Sequence, residues 1–464
     1  MMIKLPQNFQ SLPANWLPKL TVTVIATIWL FTFLSVAKWK KKEVIQQDII
    51  SYYSYLPAAI IYQDLTFRFD KEVARDKEIR IWTHQAPNGG RVQKMTMGLS
   101  FFYLPSFLVA HIYASLFDNP SGYSWPYEFM ISFGALVFAT LGLIYLSRVL
   151  LRYFSPVITS VSVMAIALGT NLFYYVVAEG CMSHVYSFFL FAAFMHYFLI
   201  WNESPSGKSS AVLGLIFGLI CLVRPSNALI ILIPALYGVK SLPSLQARLS
   251  FMWHSRKHIL MAAIIFAFVI SPQLIYWKWI TGSWVYYSYS NESFFFSNPH
   301  IFEGLFGYRK GWLLYTPIMT LSLVGLFLLK SRLSDHLLPI IIFLTANFFV
   351  VFSWWCWWYG GSFGARVLIE TYAILGIPLA VFFQWTYEAK KKVLTRALVT
   401  VMLGGFIFLN HFQTRQYLSS LIHWDSMNGS TYWAIFGTQT FPENYRELIQ
   451  KPDYQKALLG EDEH

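Results

Sequence analysis

The sequence has few charged residues, which fill only 12% of its 464 positions. A soluble chain usually has about a quarter of its residues charged. Hydrophobic residues instead make up 56% of this chain, in runs long enough to cross a bilayer. That combination excludes an ordinary water-soluble protein and predicts a polytopic integral membrane protein of the all-α class.

Cysteine and acidic residues are scarce as well. The three cysteines, Cys181, Cys221 and Cys356, stand far apart without C-x-x-C spacing, so we expect neither a disulfide framework nor a zinc site. Aspartate and glutamate number 23 against 35 lysines and arginines. The basic residues fall in short clusters between apolar runs, which indicates orientation signals and contacts with anionic lipid, and no nucleic-acid partner.

The apolar runs predict about eleven spans at roughly 20 residues each. Arg224-Pro225 interrupts the sixth run, which is long enough for two short helices because proline breaks the hydrogen-bond ladder. The first run is followed by the basic cluster Lys38 to Lys42 and no small-residue cleavage site, so it predicts a retained helix. The predicted spans are 20–37, 98–117, 128–147, 157–177, 185–201, 211–239, 259–280, 312–330, 337–357, 367–386 and 396–412.

The spans and polar stretches divide the chain into a transmembrane domain, 1–412, and a polar C-terminal tail, 413–464. Residues 38–97 are dense in charge and predict a large loop after the first span, and 281–311 predicts a second one. We find no internal repeat and no Gly-rich phosphate loop, which argues against an ATP-driven pump.

The orientation signals conflict. The cluster Lys38 to Lys42 favours a cytoplasmic first loop, whereas 240–258 and 387–396 are short basic loops that suit the cytoplasm themselves.

Asp48 opens the first loop just beyond the membrane surface and is followed by a cluster of tyrosines that includes Tyr52 and Tyr53. A base that acts on a water-borne acceptor, while the donor stays in lipid, would have to stand there. The alternative is a solvated aspartate that caps a short interfacial helix.

Two cations, Arg91 and Lys94, stand immediately before the second span. Compact positive charge at headgroup depth suits a phosphate or pyrophosphate leaving group, on which negative charge develops. The alternative is that both side chains reach toward lipid phosphates.

Glu179 and His184 lie five residues apart at a membrane boundary. They can share a divalent cation or a substrate hydroxyl, or simply cap helices at the interface. Two ligands do not make a metal site, so a divalent metal is compatible with this sequence but not required by it.

Arg224, Arg366 and Glu370 lie within or at the edge of apolar runs, where an ionisable residue is a functional candidate by default. The alternative for Arg366 and Glu370, which are spaced i,i+4, is a structural ion pair on one helix face.

The segment 353–366 carries four tryptophans, which either stack on a sugar or anchor helices at the interface.

The order of these motifs resembles that of the GT-C superfamily of membrane glycosyltransferases, which includes protein O-mannosyltransferases and aminoarabinose transferases. The resemblance covers most of residues 20–412 and is carried by several segments in order. They are Asp48 with Tyr52-Tyr53-Ser-Tyr-Leu-Pro57, Asp64-Leu65, Lys94-Met-Thr-Met-Gly98, Glu179-Gly-Cys-Met-Ser-His184, Arg224-Pro225-Ser-Asn227, Phe306-Gly-Tyr-Arg309-Lys-Gly311 and Gly361-Ser-Phe-Gly-Ala-Arg366.

The resemblance implies a GT-C-like bundle of about 11–13 helices with a large first extracytoplasmic loop, in a bacterial inner membrane. It implies inverting transfer of a sugar from a polyprenyl-phosphate donor to a lipid, glycan or protein acceptor, with Asp48 as general base. The residues expected around donor and substrate are Tyr52, Tyr53, Asp64, Arg91, Lys94, Glu179, His184, Arg309 and Arg366.

Two rival functions remain. A secondary transporter or flippase for an amphipathic lipid would line a pathway near the midplane with Arg224, Arg366 and Glu370. A noncatalytic membrane assembly subunit would tolerate the loss of the Asp48 carboxylate.

Overall fold

The structure is a computed structural model that describes residues 16–70, 81–389 and 392–461. Part of the first loop, 71–80, and the side chains of the basic cluster 390–392 lie outside the described residues. Almost all regular structure in the described part is helical, which confirms the all-α class.

The α-helices of the described part, in chain order, are α1 Trp16–Val36, α2 Gln47–Tyr53, α3 Tyr55–Ile60, α4 Gly98–Phe117, α5 Trp125–Leu150, α6 Pro156–Gly169, α7 Leu172–Ala178, α8 Ser183–Glu203, α9 Gly207–Val223, α10 Leu232–Leu236, α11 Leu242–His254, α12 Arg256–Thr281, α13 Ile301–Phe306, α14 Trp312–Tyr315, α15 Met319–Arg332, α16 Leu337–Phe352, α17 Tyr372–Glu388, α18 Lys392–Leu418, α19 Gly429–Ile435, α20 Tyr445–Leu448 and α21 Tyr454–Leu459. The 3-10 helices are Lys38–Lys40, Pro225–Ile231, Ser334–His336 and Arg366–Thr371.

The first loop also contains one antiparallel hairpin, β1 Thr83–Gln85 and β2 Arg91–Gln93, in which His84 pairs with Val92.

Eight of the described helices are long and apolar enough to cross a membrane: α1, α4, α5, α8, α12, α16, α17 and α18. A ninth span is formed if α6 and α7, bent by 62° at their junction, are taken together. These helices confirm a multi-pass membrane protein.

The remaining two predicted spans fall on shorter helices, the 17-residue α9 and the 14-residue α15. Each is shortened by a proline, because the residue before a proline is driven out of the helical conformation. Arg224, before Pro225, has φ −148° and ψ 108°, and Thr316, before Pro317, has φ −137° and ψ 57°. The predicted count of about eleven is therefore reached only when the bent pair and both short helices are included.

The two ends of the bundle can be told apart from single helices. His184 and Glu203 lie at opposite ends of α8, and Arg366 and Glu388 bound the 23-residue span that contains α17. Such a span is about 33 Å long. We call the end that carries His184, Arg366 and Asp48 the site end, and the other the opposite end.

Ion pairs mark the opposite end. Arg332 bonds to Glu388 at 2.6 Å, and Lys240 bonds to Asp335 at 2.5 Å. The predicted short basic loop 240–258 therefore lies on the side of the bundle away from Asp48.

The C-terminal segment, residues 419–461, returns to the bundle after α18. It was predicted as part of a polar tail, yet it contributes fully buried apolar side chains to the core, among them Leu421, Met427, Tyr432 and Ile435. Polar residues of the segment are buried with them, among them Ser426 and Thr431. A polar composition therefore does not keep this segment from packing against the bundle.

Helices α15 and α17 approach each other closely through a glycine, as membrane helices commonly do. A Cβ atom on Gly325 of α15 would overlap the carbonyl oxygen of Pro378 in α17. The backbone of one helix therefore fills the space that a side chain would need.

We expect Gly325→Val to lower the free energy of unfolding by about 1–3 kcal/mol, because overpacking forces the two helices apart. The matched control is Gly404→Val in α18, where a new Cβ meets no atom within 4 Å. Thermal unfolding of both variants in detergent checks this. Equal midpoints for the two would contradict the close approach of α15 and α17.

Candidate active site

Asp48 is the second residue of the short helix α2. The five residues that follow it, Ile49 to Tyr53, are all buried. The Asp48 side chain itself keeps 29% of its surface exposed. The helix α2 thus places one partly exposed carboxylate at the site end.

Arg366 holds this carboxylate from the other end of the chain. Its Nη2 lies 3.1 Å from Asp48 Oδ2, although 318 residues separate the two, and the arginine side chain is only 12% exposed. The preceding loop turns at Gly364, whose φ of +60° favours glycine. Two residues that were singled out separately are thus brought into one contact.

Glu370 lies behind that pair and is 1% exposed. Its Oε2 is 3.1 Å from His184 Nδ1, and its Oε1 is 3.6 Å from Arg224 Nε. Arg224 Nη1 in turn lies 3.4 Å from His184 Nε2. These contacts are satisfied when Nδ1 carries the imidazole proton and donates it to Glu370, while Arg224 donates to Nε2.

The alternative of an i,i+4 ion pair between Arg366 and Glu370 is wrong. Residues Arg366–Thr371 form a 3-10 helix, which has three residues per turn, so positions i and i+4 do not share a face. Arg366 faces Asp48 instead, and Glu370 faces His184 and Arg224.

Glu179 follows α7 and flanks the site on the other side. Lys38 Nζ lies 3.2 Å from its Oε1, and the Tyr174 hydroxyl donates a hydrogen bond of 2.8 Å to the same oxygen. Glu179 is also within electrostatic reach of Arg366. Glu179 and His184 have different protein partners: Lys38 and Tyr174 contact Glu179, and Glu370 and Arg224 contact His184.

Lys94 reaches the site from the first loop. Its ammonium group forms an ion pair with Glu292 and lies 5.3 Å from the centre of the Tyr289 ring. Burial raises the pKa of Tyr289 above 10, and the nearby Asp48 adds to this while Arg224 opposes it. Tyr289 is therefore near Lys94 and also within electrostatic reach of Asp48 and Arg224.

Tyr52 lines the floor of the cluster and is 4% exposed. Burial raises its pKa, Arg224 opposes the rise and Asp48 adds to it, and its hydroxyl also contacts Ser183. Tyr53 points elsewhere and donates a hydrogen bond to the carbonyl of Gly122, so it ties α2 to the loop before α5.

Two further candidates act within the first loop. Asp64 accepts hydrogen bonds from the backbone amides of Thr66 (2.9 Å) and Arg68 (2.8 Å), and although burial opposes it, these bonds lower its pKa. Arg91 forms an ion pair with Asp70 and donates to the carbonyl of Phe67 at 2.9 Å. Both side chains stabilise the first loop through these contacts, which do not involve Asp48.

Arg309 is buried and lies over the tryptophans of the aromatic segment, 5.7 Å from the Trp357 ring and 5.0 Å from the Trp358 ring. Those two tryptophans are themselves buried. In this part of the segment the rings therefore pack in the interior.

Lys310 is a residue that the sequence reasoning did not single out. Its buried ammonium group donates to the carbonyl oxygens of Ser362 and Trp424, the latter at 2.5 Å. It thereby joins the loop before Arg366 to the C-terminal segment. Burial lowers its pKa to about 7. Its sequence signal is its place in the segment Phe306-Gly-Tyr-Arg309-Lys-Gly311, in which only Arg309 was chosen as a site residue.

Within the described residues 16–70, 81–389 and 392–461, no group of three or more His, Cys, Asp or Glu side chains could hold a metal ion. His184 and Glu370 contact each other and Arg224.

We expect Glu370→Gln to lower the free energy of unfolding by about 3–5 kcal/mol, because it leaves Arg224 as an uncompensated buried charge. Glu303→Gln is the control, since Glu303 is 44% exposed and its nearest charged partner, His300, is 3.9 Å away. Thermal unfolding measures both. A Glu370 variant as stable as the control would show that the pair does not hold the site end together.

The low pKa of Lys310 makes stability depend on pH in a defined window. Between about pH 7 and the ordinary value of 10.5, the unfolded chain binds a proton that the folded chain lacks, so stability rises with pH. We expect Lys310→Met to lose this rise. The difference in unfolding midpoint between wild type and variant, measured at pH 6, 8 and 9.5, checks this; a constant difference contradicts it.

Comparison with known proteins gives structural neighbours but no sequence relatives. No family model matches the chain, and no curated protein matches it. Two solved structures of the oligosaccharyltransferase from the archaeon Archaeoglobus fulgidus are similar. One is AglB in complex with an inhibitory peptide and a dolichol-phosphate, at 12% identity and a TM-score of 0.44, over 90% of this chain.

The other is the apo form, at 12% identity and a TM-score of 0.46, over 95% of this chain. The chain spans 58% and 60% of the length of these two proteins.

Proposed function

We propose that this protein is a membrane glycosyltransferase that moves a sugar from a polyprenyl-phosphate donor to a hydroxyl or amide of a glycan, lipid or protein acceptor. The observation that carries the proposal is the contact between Asp48 and Arg366. It places an accessible carboxylate beside buried cations at the site end of an apolar bundle.

Asp48 is the proposed general base. A base has to be within hydrogen-bond reach of the proton it takes and must be held in one orientation. Arg366 engages Oδ2, which assigns Oδ1 to the acceptor. The acceptor proton passes to Asp48 as the acceptor atom bonds to the anomeric carbon, and the bond from that carbon to the phosphate oxygen breaks. The polyprenyl phosphate leaves with the electron pair, and the configuration inverts.

Arg224, Arg366 and Lys94 are the proposed partners of the departing phosphate. Developing negative charge is stabilised by fixed cations in a site of low dielectric. The side chains of Arg224 and Lys94 are 17% and 21% exposed, so a headgroup can reach them. Arg91 is left out of this set because its contacts, with Asp70 and with the carbonyl of Phe67, stay within the first loop.

Two acidic residues hold cations in place at the site end. Glu370, with His184, fixes Arg224, and Glu179 fixes Lys38 on the opposite flank. Tyr52 and Tyr289 are within electrostatic reach of Asp48 and Arg224 and supply aromatic surface beside them.

We place the site end on the extracytoplasmic face. The short basic loop 240–258 lies at the opposite end, and such loops favour the cytoplasm. Lys38 belongs to the conflicting cluster, but its charge is engaged by Glu179 within the fold. This ion pair gives a reason for a lysine at position 38 that does not require the first loop to be cytoplasmic.

The transporter alternative receives no such support. It needs Arg224, Arg366 and Glu370 near the midplane, whereas Arg366 is the first residue of its span and Arg224 follows the end of α9.

Turnover of purified protein in lipid vesicles, with a panel of polyprenyl-phosphate sugars, tests the proposal. We expect Asp48→Asn to reduce turnover by about 100-fold or more, because the amide cannot accept the acceptor proton. Release of free sugar to water is scored together with transfer, so that the assay does not depend on the right acceptor.

The control is Asp335→Asn, since Asp335 is half exposed at the opposite end and pairs with Lys240. It should turn over donor at the wild-type rate. Equal rates for Asp48→Asn and wild type, in protein with the same unfolding midpoint, would refute Asp48 as the base.

A further inference from the structure

The helix α19 runs beside the last turns of the span α18 instead of extending beyond it. Gln413 Nε2 donates to the Tyr432 hydroxyl at 3.1 Å. Gln416 Nε2 donates to the carbonyls of Ile435 and Thr438, both at 2.7 Å. Because α18 ends at Leu418, these contacts lie several ångströms back along the span from its end, at about 1.5 Å per residue.

Large aromatic side chains on this segment point outward. Trp433 is 59% exposed and Phe436 is 49% exposed. Trp433 Nε1 donates to the Tyr308 hydroxyl at 3.2 Å, which joins the segment to the loop that contains Phe302 and Phe306, exposed by 70% and 49%. We call these five residues the aromatic strip.

Such a strip would be unfavourable in water, since large exposed apolar patches normally mark a binding surface. Amphipathic rings of tryptophan and tyrosine instead prefer the level of the lipid headgroups. The hydrogen bonds from Gln413 and Gln416 place the strip beside the end of a membrane span, which is the depth at which headgroups lie.

We infer that the aromatic strip inserts into the headgroup layer at the site end and seats the C-terminal segment on the membrane. The partner is the lipid surface itself. This inference is independent of the proposed transferase activity.

Anchoring the C-terminal segment on the membrane also positions the loop that ends at Arg366. The Trp424 carbonyl accepts hydrogen bonds from Lys310 and from the backbone amide of Ser362, the latter at 3.4 Å. Ser362 belongs to the loop that ends at Arg366. The membrane contact therefore sets the height of that loop relative to the lipid surface.

Spin-label depth measurement tests the inference. Trp433→Cys is labelled with a nitroxide in a chain whose three native cysteines are replaced by alanine, and reconstituted in phosphatidylcholine and phosphatidylglycerol nanodiscs. Collision rates with oxygen, which concentrates in lipid, and with a water-soluble nickel chelate give its depth. The references are Val401→Cys, an exposed position within α18, and Lys451→Cys, an exposed polar position in the C-terminal segment.

We expect the label at 433 to lie between the two references, with more oxygen and less nickel contact than the label at 451. The same nickel contact at 433 and 451 would overturn the inference in favour of a water-exposed strip. Low contact with both reagents would overturn it in favour of a protein partner.

A second measurement keeps the test valid if labelling disturbs the fold. We expect Trp433→Gln to increase hydrogen exchange in residues 421–427 of protein in nanodiscs, because the segment loses its anchor. The control is Leu459→Gln, which removes an equally exposed apolar side chain outside the strip. Equal exchange in the two variants would contradict the role of the strip.

Discussion

The buried carboxylate of Glu370 is the contact on which the geometry of the site end depends. Charges at the end of an apolar span are costly unless they are paired and hydrogen-bonded. Glu370 meets His184 from α8 and Arg224 from the end of α9, and so fixes three parts of the chain at one point. Because Glu370 is occupied in this way, the neighbouring Arg366 is left to bind Asp48.

As a consequence, the exposed fraction of the side chains increases from Glu370, in the interior, to Asp48 at the surface of the site. Glu370 and His184 are each 1% exposed, Arg366 and Arg224 are 12% and 17% exposed, and Asp48 is 29% exposed. The buried Glu370 and His184 hold Arg224 in place from behind, while the outermost carboxylate can meet a substrate. That gradient suits a reaction between a lipid-held donor and an acceptor that arrives from water.

Run length and hydropathy were enough to predict most of the spans, because a bilayer admits few other structures. The shortened helices depended on single prolines at 225 and 317, of which only the first was recognised. The packing of the C-terminal tail against the bundle was harder to predict. Its buried residues Leu421 and Tyr432 are spread among polar neighbours and show no helical or strand periodicity.

The site was predicted residue by residue but not as an arrangement. Asp48 and Arg366 were each singled out, yet their contact spans 318 residues and no spacing rule reaches that far. The alternative pairing of Glu370 with Arg366 was wrong because it assumed helical spacing where the chain forms a 3-10 helix. Lys310 gave almost no signal, since only the fold shows that its neighbours are two carbonyl oxygens.

Locating a bound phosphate would test the proposed site most directly. A structure in lipid nanodiscs with a polyprenyl phosphate would show its phosphorus atom. We expect the phosphate at the site end, in contact with Arg224 or Arg366 and on the side that Asp48 faces. A phosphate bound at the opposite end, or at the site end but out of reach of both arginines, would contradict it.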